Sequence, residues 1–533
     1  MPVTIRHPHR GMLLVLALAT AVTCGHAAAA ATLRWAAEAD AASLDPYTRD
    51  EITQLSLLGN VYEPLVRRAA DLSLEPGLAV SWEQSAPTRW RFHLRPHVSW
   101  QDGTPFTAAD VLFSLGRVQA PTSLLRSLAA RITGATAIDA QTVELETAAP
   151  DPILPQEITT WYMMSKAWAE ANGTAVPALL ASGREDFATR HAMGTGPYHV
   201  ALRDPDHRTV LERNPAWWDK PADLAETVER DVLTAPTTRM SALISGEVDI
   251  ATDVPPQDAD YIAHTSSLKL IAGPELRTIF LGMDQSRDEL LKSDVKGRNP
   301  FRDQRVRQAV ALAIDEDAIA AKVMRGLARP SWLLWGPGVV GYDAALDRRP
   351  AADPEQAHAL LAAAGYPSGF GVTLDCPNDR YVMDEAICTA VASMLARVGI
   401  RVDVNAQPKA RFFAEIGPPA FNTSFYLLGW SPPTYDALNV LFNLAGTRDG
   451  TRGAINDEGY SDPALDALLA RIGTTADTAA RDALIDDAAR RLQAAYAYIP
   501  LHQQRLLWGA RATLDVPQSA DGFLQLRFVH DRR

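Results

Sequence analysis

Cysteine and lysine are scarce in this 533-residue chain: it has three of the first and seven of the second. Three cysteines exclude a scaffold built on disulfides. With 47% hydrophobic and 22% charged residues, the chain has the make-up of an ordinary globular protein. The lysine shortage is filled by arginine, which together with abundant alanine reads as genome composition. The formal net charge is −13, and no stretch gathers Lys or Arg on one face. Attraction to a phosphate backbone is excluded on that ground, and no nucleic-acid partner is expected. Catalytic signatures are also missing: there is no GxSxG, HExxH, Walker loop or GxGxxG. The twelve His are scattered, so neither a metal site nor a cofactor is expected, and the chain does not read as an enzyme. Beyond the first residues no run of about 18 apolar residues occurs, which argues against a spanning helix.

The N-terminus is informative. MPVTIRHPHR carries Arg6 and Arg10 and no acid, GMLLVLALATAV is apolar, and the alanines before Thr32 are small. That three-part order predicts a secretory signal over residues 1–31 and a periplasmic mature protein. Cys24, in AVTC, resembles a lipoprotein box, but Ala21 and Thr23 fit it poorly, so a soluble product is favoured over a lipid-anchored one.

The length calls for two or three domains. Strand and helix signals are mixed throughout, which gives an α/β class. TRWRFHLRPHVSW alternates Trp90, Phe92 and Leu94 against charged neighbours, as a half-buried strand does. FTAADVLFSLGRV opens a helix with Thr107 as N-cap and Asp110 completing a capping box. Asp353–Pro354 and Asp462–Pro463 mark two further helix starts. Arg305 and Arg307 read as surface pairs, and His502 as the terminus or cap of a helix.

Cys376 follows the strand-like GVTLD, and Cys388 lies in the helical MDEAICTAVASMLARVG. In an exported protein that spacing invites a disulfide, with two buried thiols as the alternative. Closing so short a loop is worth roughly 3 kcal/mol.

Several stretches then fall in one order: SLDPYTRDE, NVYEPLV, LEPGLAVSWE, RWRFHLRPHVSWQDGTPFTAADVLFSL, GTGPYHV, LERNPAWWD, LISGEVDI, FRDQRVRQAVALAID, LLAAAGYPSGF and IPLHQQ. Together they resemble the extracellular solute-binding proteins of family 5, the peptide-, nickel- and glutathione-type receptors of ABC importers. The resemblance runs from about residue 33 to about residue 528. It implies a two-lobed, hinged periplasmic-binding-protein fold with a subdomain inserted in the first lobe. On that pattern the first lobe takes residues 32–75, 190–273 and 502–533, the insert 76–189 and the second lobe 274–501. GPELRT (273–278) and IPLH (499–502) are the expected hinge crossings.

The resemblance also implies a ligand loop, GWSPPTYDALN (429–439). In peptide receptors of this kind an aspartate three positions after the tryptophan meets the peptide's amino terminus. Here that position is Pro433. Asp436, Asp50 and Glu51 are the acids considered in its place. Trp430 is expected to line the cleft, and Asp436 either binds ligand or caps the following helix. Tyr47, Arg49 and Asp50 are expected on the facing loop, Thr252 and Asp253 at the cleft floor, and Arg277 at the hinge, where a ligand carboxylate and a structural salt bridge are both open. Asp379 and Arg380, in the loop after Cys376, are further candidates to face the ligand. The implied protein is a monomeric receptor that delivers a small peptide or peptide-like solute to permease subunits. A receptor for a metal chelate, glutathione-like compound or opine is the alternative within the binding class, and an exported hydrolase the alternative outside it.

Overall fold

The computed structural model describes residues 32–219, 221 and 223–532, with Met1, Val3 and Thr4. The rest of the leader expected over 1–31, Cys24 included, lies outside the described residues. Two long antiparallel strands, Leu268–Met283 and Tyr498–Arg511, form the spine. Both belong to one eleven-stranded sheet. At the Arg511 end the sheet continues through Ile250–Ala251, Thr32–Ala37, Thr227–Val232, Arg208–Arg213 and Tyr198–Asp204. Toward Met283 it continues through Phe425–Trp430, Gly371–Pro377 and Arg401–Gln407. The two lobes are thus the two ends of a sheet joined by a two-stranded ribbon.

Each end is covered on both faces, and the period of two along its strands divides the cores. Ile279, Leu281 and Met283 enter a core with Val306, Leu374 and Leu395, whereas Phe280 enters another with Leu441 and Ile485. In the first lobe Leu33, Trp35 and Ala37 face one core and Ala36 faces Leu243, Val254 and Ile262. A one-residue slip would exchange those faces, and each large apolar side chain exposed by it would cost about 1.5–3 kcal/mol. Parallel pairing of Gly371–Pro377 with Arg401–Gln407 requires a crossover, which the helix Asp384–Ala396 supplies.

A separate antiparallel sheet runs in the order Ala79–Ala86, Arg89–Leu94, Thr142–Thr147, Ile132–Asp139. Its Phe92 and Val143 join the first-lobe core that holds Leu33 and Trp35. Phe92 and Leu94 are buried and Trp90 half-buried, as the alternation requires. The helix Ala108–Val118 starts with the expected capping box, the Thr107 N–H donating to Asp110 Oδ2 at 2.9 Å. Asp353 and Asp462 cap their helices ahead of Pro354 and Pro463.

Two local readings are corrected. His502 caps nothing: it lies inside the strand Tyr498–Arg511, fully buried, with Nδ1 2.6 Å from Glu316 Oε1. Its neighbours Ile499 and Leu501 alternate as a strand, a signal too short to read against the preceding helix. Arg305 forms the expected exposed pair with Asp303, but Arg307 is buried and donates to the carbonyls of Phe301 and Ala495. An arginine beside apolar helix residues can tie chain segments together through backbone oxygens as readily as it can face water.

The disulfide is present. Cys376 on the strand Gly371–Pro377 and Cys388 on the helix Asp384–Ala396 are joined at 2.03 Å.

Candidate functional site

The register between the two spine strands breaks between Pro274 and Thr278, which pair with Arg505 and Gln503. Four steps on one strand oppose two on the other, so Glu275, Leu276 and Arg277 bulge out of the ladder. Such a bulge bends a strand and re-aims its side chains. The Leu276 N–H, lost to the ladder, donates instead to the Ala520 carbonyl at 3.0 Å. IPLH (499–502) sits on the second-lobe side of this break, paired through Ile279 to Leu281.

All three bulged residues line a cavity of about 520 Å³ between the lobes, a volume suited to a small organic ligand. From the first-lobe side it is walled by Asp50, Ile52, Leu55, Leu128 and Phe523. From the second it is walled by Phe413, Ile416, Leu428, Trp430 and the prolines at 418, 432 and 433. Two cations and four acids stand among these apolar walls: Arg277, Arg380, Asp50, Glu275, Asp457 and Asp521.

Most of these charges already have partners. Arg277 pairs with Glu275 at 2.6 Å, with both side chains largely buried, and burial pushes the Glu275 carboxyl up despite that cation. Asp521 accepts from Tyr435 Oη at 2.9 Å, from Ser519 Oγ and from the Phe523 N–H. Asp50 is open to the cleft, yet desolvation and then Glu51 raise it above the ordinary carboxylate range. Arg380 is exposed and has no carboxylate among its described salt bridges; its guanidinium lies 5.2 Å from the Tyr381 ring centroid, with Arg277 at 5.7 Å from the same ring. Asp457 is 4% exposed and its Oδ1 has no hydrogen-bond partner.

The sequence-predicted residues divide between cleft and scaffold. Trp430, Asp50, Arg277 and Arg380 reach the cavity. Trp430 ends the strand Phe425–Trp430 and is oriented by its Nε1, which donates to Asn439 Oδ1 at 3.1 Å. Asp436 does not reach it. That carboxylate is fully buried, caps the helix Ala437–Val440 through the Leu438 N–H, and accepts two bonds from Arg481 at 2.7 and 2.8 Å. Tyr47 is also fully buried, its hydroxyl donating to the Tyr162 carbonyl at 2.5 Å. Arg49 has Glu51 as its nearest acid, at 4.0 Å. Thr252 is buried, and the carbonyls of Thr252 and Asp253 accept from Arg239 at 3.0 and 2.9 Å. That anchor holds Asp253 in the left-handed region, φ 58°. Asp253 is raised by desolvation, and Glu38 is raised by desolvation and then by Asp253. Asp379 accepts from the Lys409 N–H at 2.6 Å.

Sequence reading missed Glu275, Tyr381, Asp457 and the 520–523 segment as cleft residues. GPELRT was legible as a crossing, but not as a bulge that lines the cavity. Asp457 sits in INDEGY, whose only signal is acid next to glycine. Among the described residues, no three His, Cys, Asp or Glu converge to hold a metal ion, and no helix is long and apolar enough to cross a membrane.

Comparison with known proteins agrees with this geometry. Residues 73–452 match bacterial extracellular solute-binding proteins, family 5, middle portion. Glutathione-binding protein GsiB of Pectobacterium atrosepticum is 27% identical over 472 residues, covering 87% of each chain. GsiB of Escherichia coli K12 is 25% identical over 512 residues, covering 94% of each. Among solved structures, HbpA2 of Haemophilus parasuis superposes with a TM-score of 0.80 at 22% identity, over 94% of this chain and all of that one (100%). AgaA of A. tumefaciens R10, in complex with agropinic acid, gives 0.74 at 24% identity, over 94% and 99%. DppA of Helicobacter pylori, in complex with the peptide STSA, gives 0.74 at 21% identity, over 94% and 98%.

Proposed function

This chain belongs to the bacterial extracellular solute-binding proteins of family 5, non-enzymatic receptors of ABC importers, and from that premise we propose that it binds a small carboxylate-bearing solute of the peptide, glutathione or opine class in the cleft between its lobes. The observation that carries this reading is Arg380: a guanidinium without a salt-bridged carboxylate among the described residues, held beside Tyr381 on the wall of a cavity of about 520 Å³. A planar guanidinium accepts a carboxylate through two parallel hydrogen bonds. Arg277, already paired with Glu275, supports the same end of the ligand electrostatically.

The apolar walls supply most of the contact area, and the prolines of the 429–439 loop lower the ordering that binding demands. Because both lobes contribute walls, a ligand in the cleft interacts differently with open and closed forms, which is the condition for a population shift. The permease of an ABC importer, in a periplasmic setting, is then the partner for the closed form. The mature receptor acts as a soluble monomer with the 1–31 leader removed.

The test is a thermal-shift panel of di- and tripeptides, glutathione and opines, followed by calorimetry on wild type and Arg380→Ala. One-to-one saturation without turnover, weakened at least tenfold by Arg380→Ala for carboxylate ligands but not for their amides, is expected. Turnover of any ligand, or equal loss for acid and amide, overturns the reading.

A further inference from the structure

We propose that Asp457 forms a cation subsite of the cleft, taking a protonated amine or other compact cationic group of the solute; this rests on the cleft being the ligand site, as proposed above. Three observations point there. Asp457 lines the cavity yet is only 4% exposed, and its Oδ1 is buried without a hydrogen-bond partner among the described residues. A buried carboxylate oxygen without a donor is costly to keep. The other acids of the cavity differ: Glu275 is matched by Arg277, Asp521 by three donors, and Asp50 is open to water. Finally, desolvation pushes the Asp457 carboxyl up to about 7, and the attraction of Arg448 does not offset it.

The surroundings explain why no protein group compensates. Arg448 is engaged with the Phe421 ring, its guanidinium 4.3 Å from the centroid. The neighbouring acid, Glu458, accepts from Tyr426 Oη at 2.5 Å and is itself held well above the ordinary range by burial. Among the described residues Arg448, Glu458 and Tyr426 are the titratable groups that interact electrostatically with Asp457, and none of them closes a bond to its Oδ1. A ligand ammonium would do so, and the chain then has an acid for a solute's amine although Pro433 offers none.

The solute class narrows accordingly. With Arg380 at one part of the wall and Asp457 at another, the cleft suits a zwitterion: a free-amine peptide, a γ-linked peptide, or an amino-acid conjugate that keeps a basic nitrogen. Fully acylated conjugates are excluded from the preferred set.

The experiment compares trialanine and glutathione with their N-acetylated forms, by calorimetry from pH 6 to 8.5, on wild type, Asp457→Asn and Asp288→Asn. Wild type is expected to favour the free amines at least tenfold, with their affinity falling as pH drops through about 7 because the protonated carboxyl no longer attracts a cation. Asp457→Asn is expected to abolish that preference and flatten the profile, while Asp288→Asn, at an exposed acid outside the cavity, keeps both. In the unliganded protein Asp457→Asn should raise the melting temperature above pH 7, since the desolvated carboxylate is gone; this readout needs no ligand. Equal affinity for free and acetylated forms in wild type overturns the cation subsite and leaves the receptor reading intact. An unliganded Asp457→Asn protein less stable than wild type at pH 8 also overturns it. Failure of every solute in the wider panel overturns the receptor reading itself.

Discussion

At residue scale, the same acid can serve the fold or the ligand, and burial alone does not say which. Asp436 and Asp457 lie 21 positions apart and are 0% and 4% exposed. Asp436 meets a bidentate Arg481 and a helix N–H, whereas Asp457 leaves Oδ1 unmatched. Completed bonds mark Asp436 as the anchor of the loop that presents Trp430. Removing one partner of a buried ion pair strands the other charge. Arg481→Ala is therefore expected to lower unfolding stability by about 3–5 kcal/mol, measured by urea denaturation. A loss below about 1 kcal/mol would place the pair among weak surface contacts instead. Asp436 was legible as a cap from the sequence, but Arg481 lies 45 residues away and nothing local joins them.

At the scale of elements, the disulfide and the strand bulge do the positioning. The bridge between Cys376 and Cys388 encloses Asp379, Arg380 and Tyr381. Loop-closure entropy for a 12-residue separation gives roughly 3 kcal/mol. The Cys376→Ser/Cys388→Ser double variant should lose about that much stability, read from denaturation with and without reductant. It should also weaken carboxylate ligands, because Arg380 is then presented by a looser loop. An unchanged affinity would mean that Tyr381 and the Asp384 carboxylate, which accepts the N–H groups of Arg380 and Tyr381, suffice to hold it. The bulge at Glu275–Arg277 escaped sequence reading because register exists only between two strands, and the partner strand lies more than 200 residues on.

At whole-molecule scale the lobes meet through shared apolar packing, in which Leu72, Ile153 and Ala520 join the core of Phe280 and Leu441, and through specific polar contacts. Arg68 stacks 3.7 Å from the Tyr435 ring centroid, and Tyr435 Oη donates to Asp521. Tyr435 lies on the second-lobe 429–439 loop, while the segments carrying Arg68 and Asp521 pack into the first-lobe core through Val66 and Leu524 and against the core of Tyr435 through Leu72 and Ala520. Hydrogen bonds to a charged group contribute about 1.5–3 kcal/mol. Tyr435→Phe should thus shift the lobes toward the open form and weaken binding about tenfold or more, with a larger radius of gyration in solution scattering. Identical scattering and affinity in the variant would remove this contact from the closure mechanism.

A second interlobe feature is electrostatic. Glu157 is held well above its ordinary 4.5 by burial, then by the charge of Asp151, and to a smaller degree by Asp436 of the opposite lobe; Arg131 opposes the shift. The raised carboxyl favours the proton-bound fold, so its contribution is fully present below about 4.5 and is lost as pH rises through the higher folded value. Glu157→Gln, which cannot ionise, should raise the melting temperature at pH 8 relative to wild type and leave it nearly unchanged at pH 4. The opposite order would mean that the ionised pair is matched by Arg131 and Arg481.

What the sequence determined alone was local or composite. Helix starts at Thr107, Asp353 and Asp462, the alternation of Arg89–Leu94 and the pairing of Cys376 with Cys388 follow from spacing, because capping, pleat and loop closure act within a few residues. The order of motifs along the chain led to the two-lobed receptor fold. Tertiary structure alone decided which charges face the cleft. Asp436, Tyr47 and Thr252 carry suitable side chains but fold inward, while Asp457 and Glu275 face the cleft. A side chain's exposure and the partners that complete its hydrogen bonds depend on chain segments hundreds of residues apart, and no local pattern encodes that meeting.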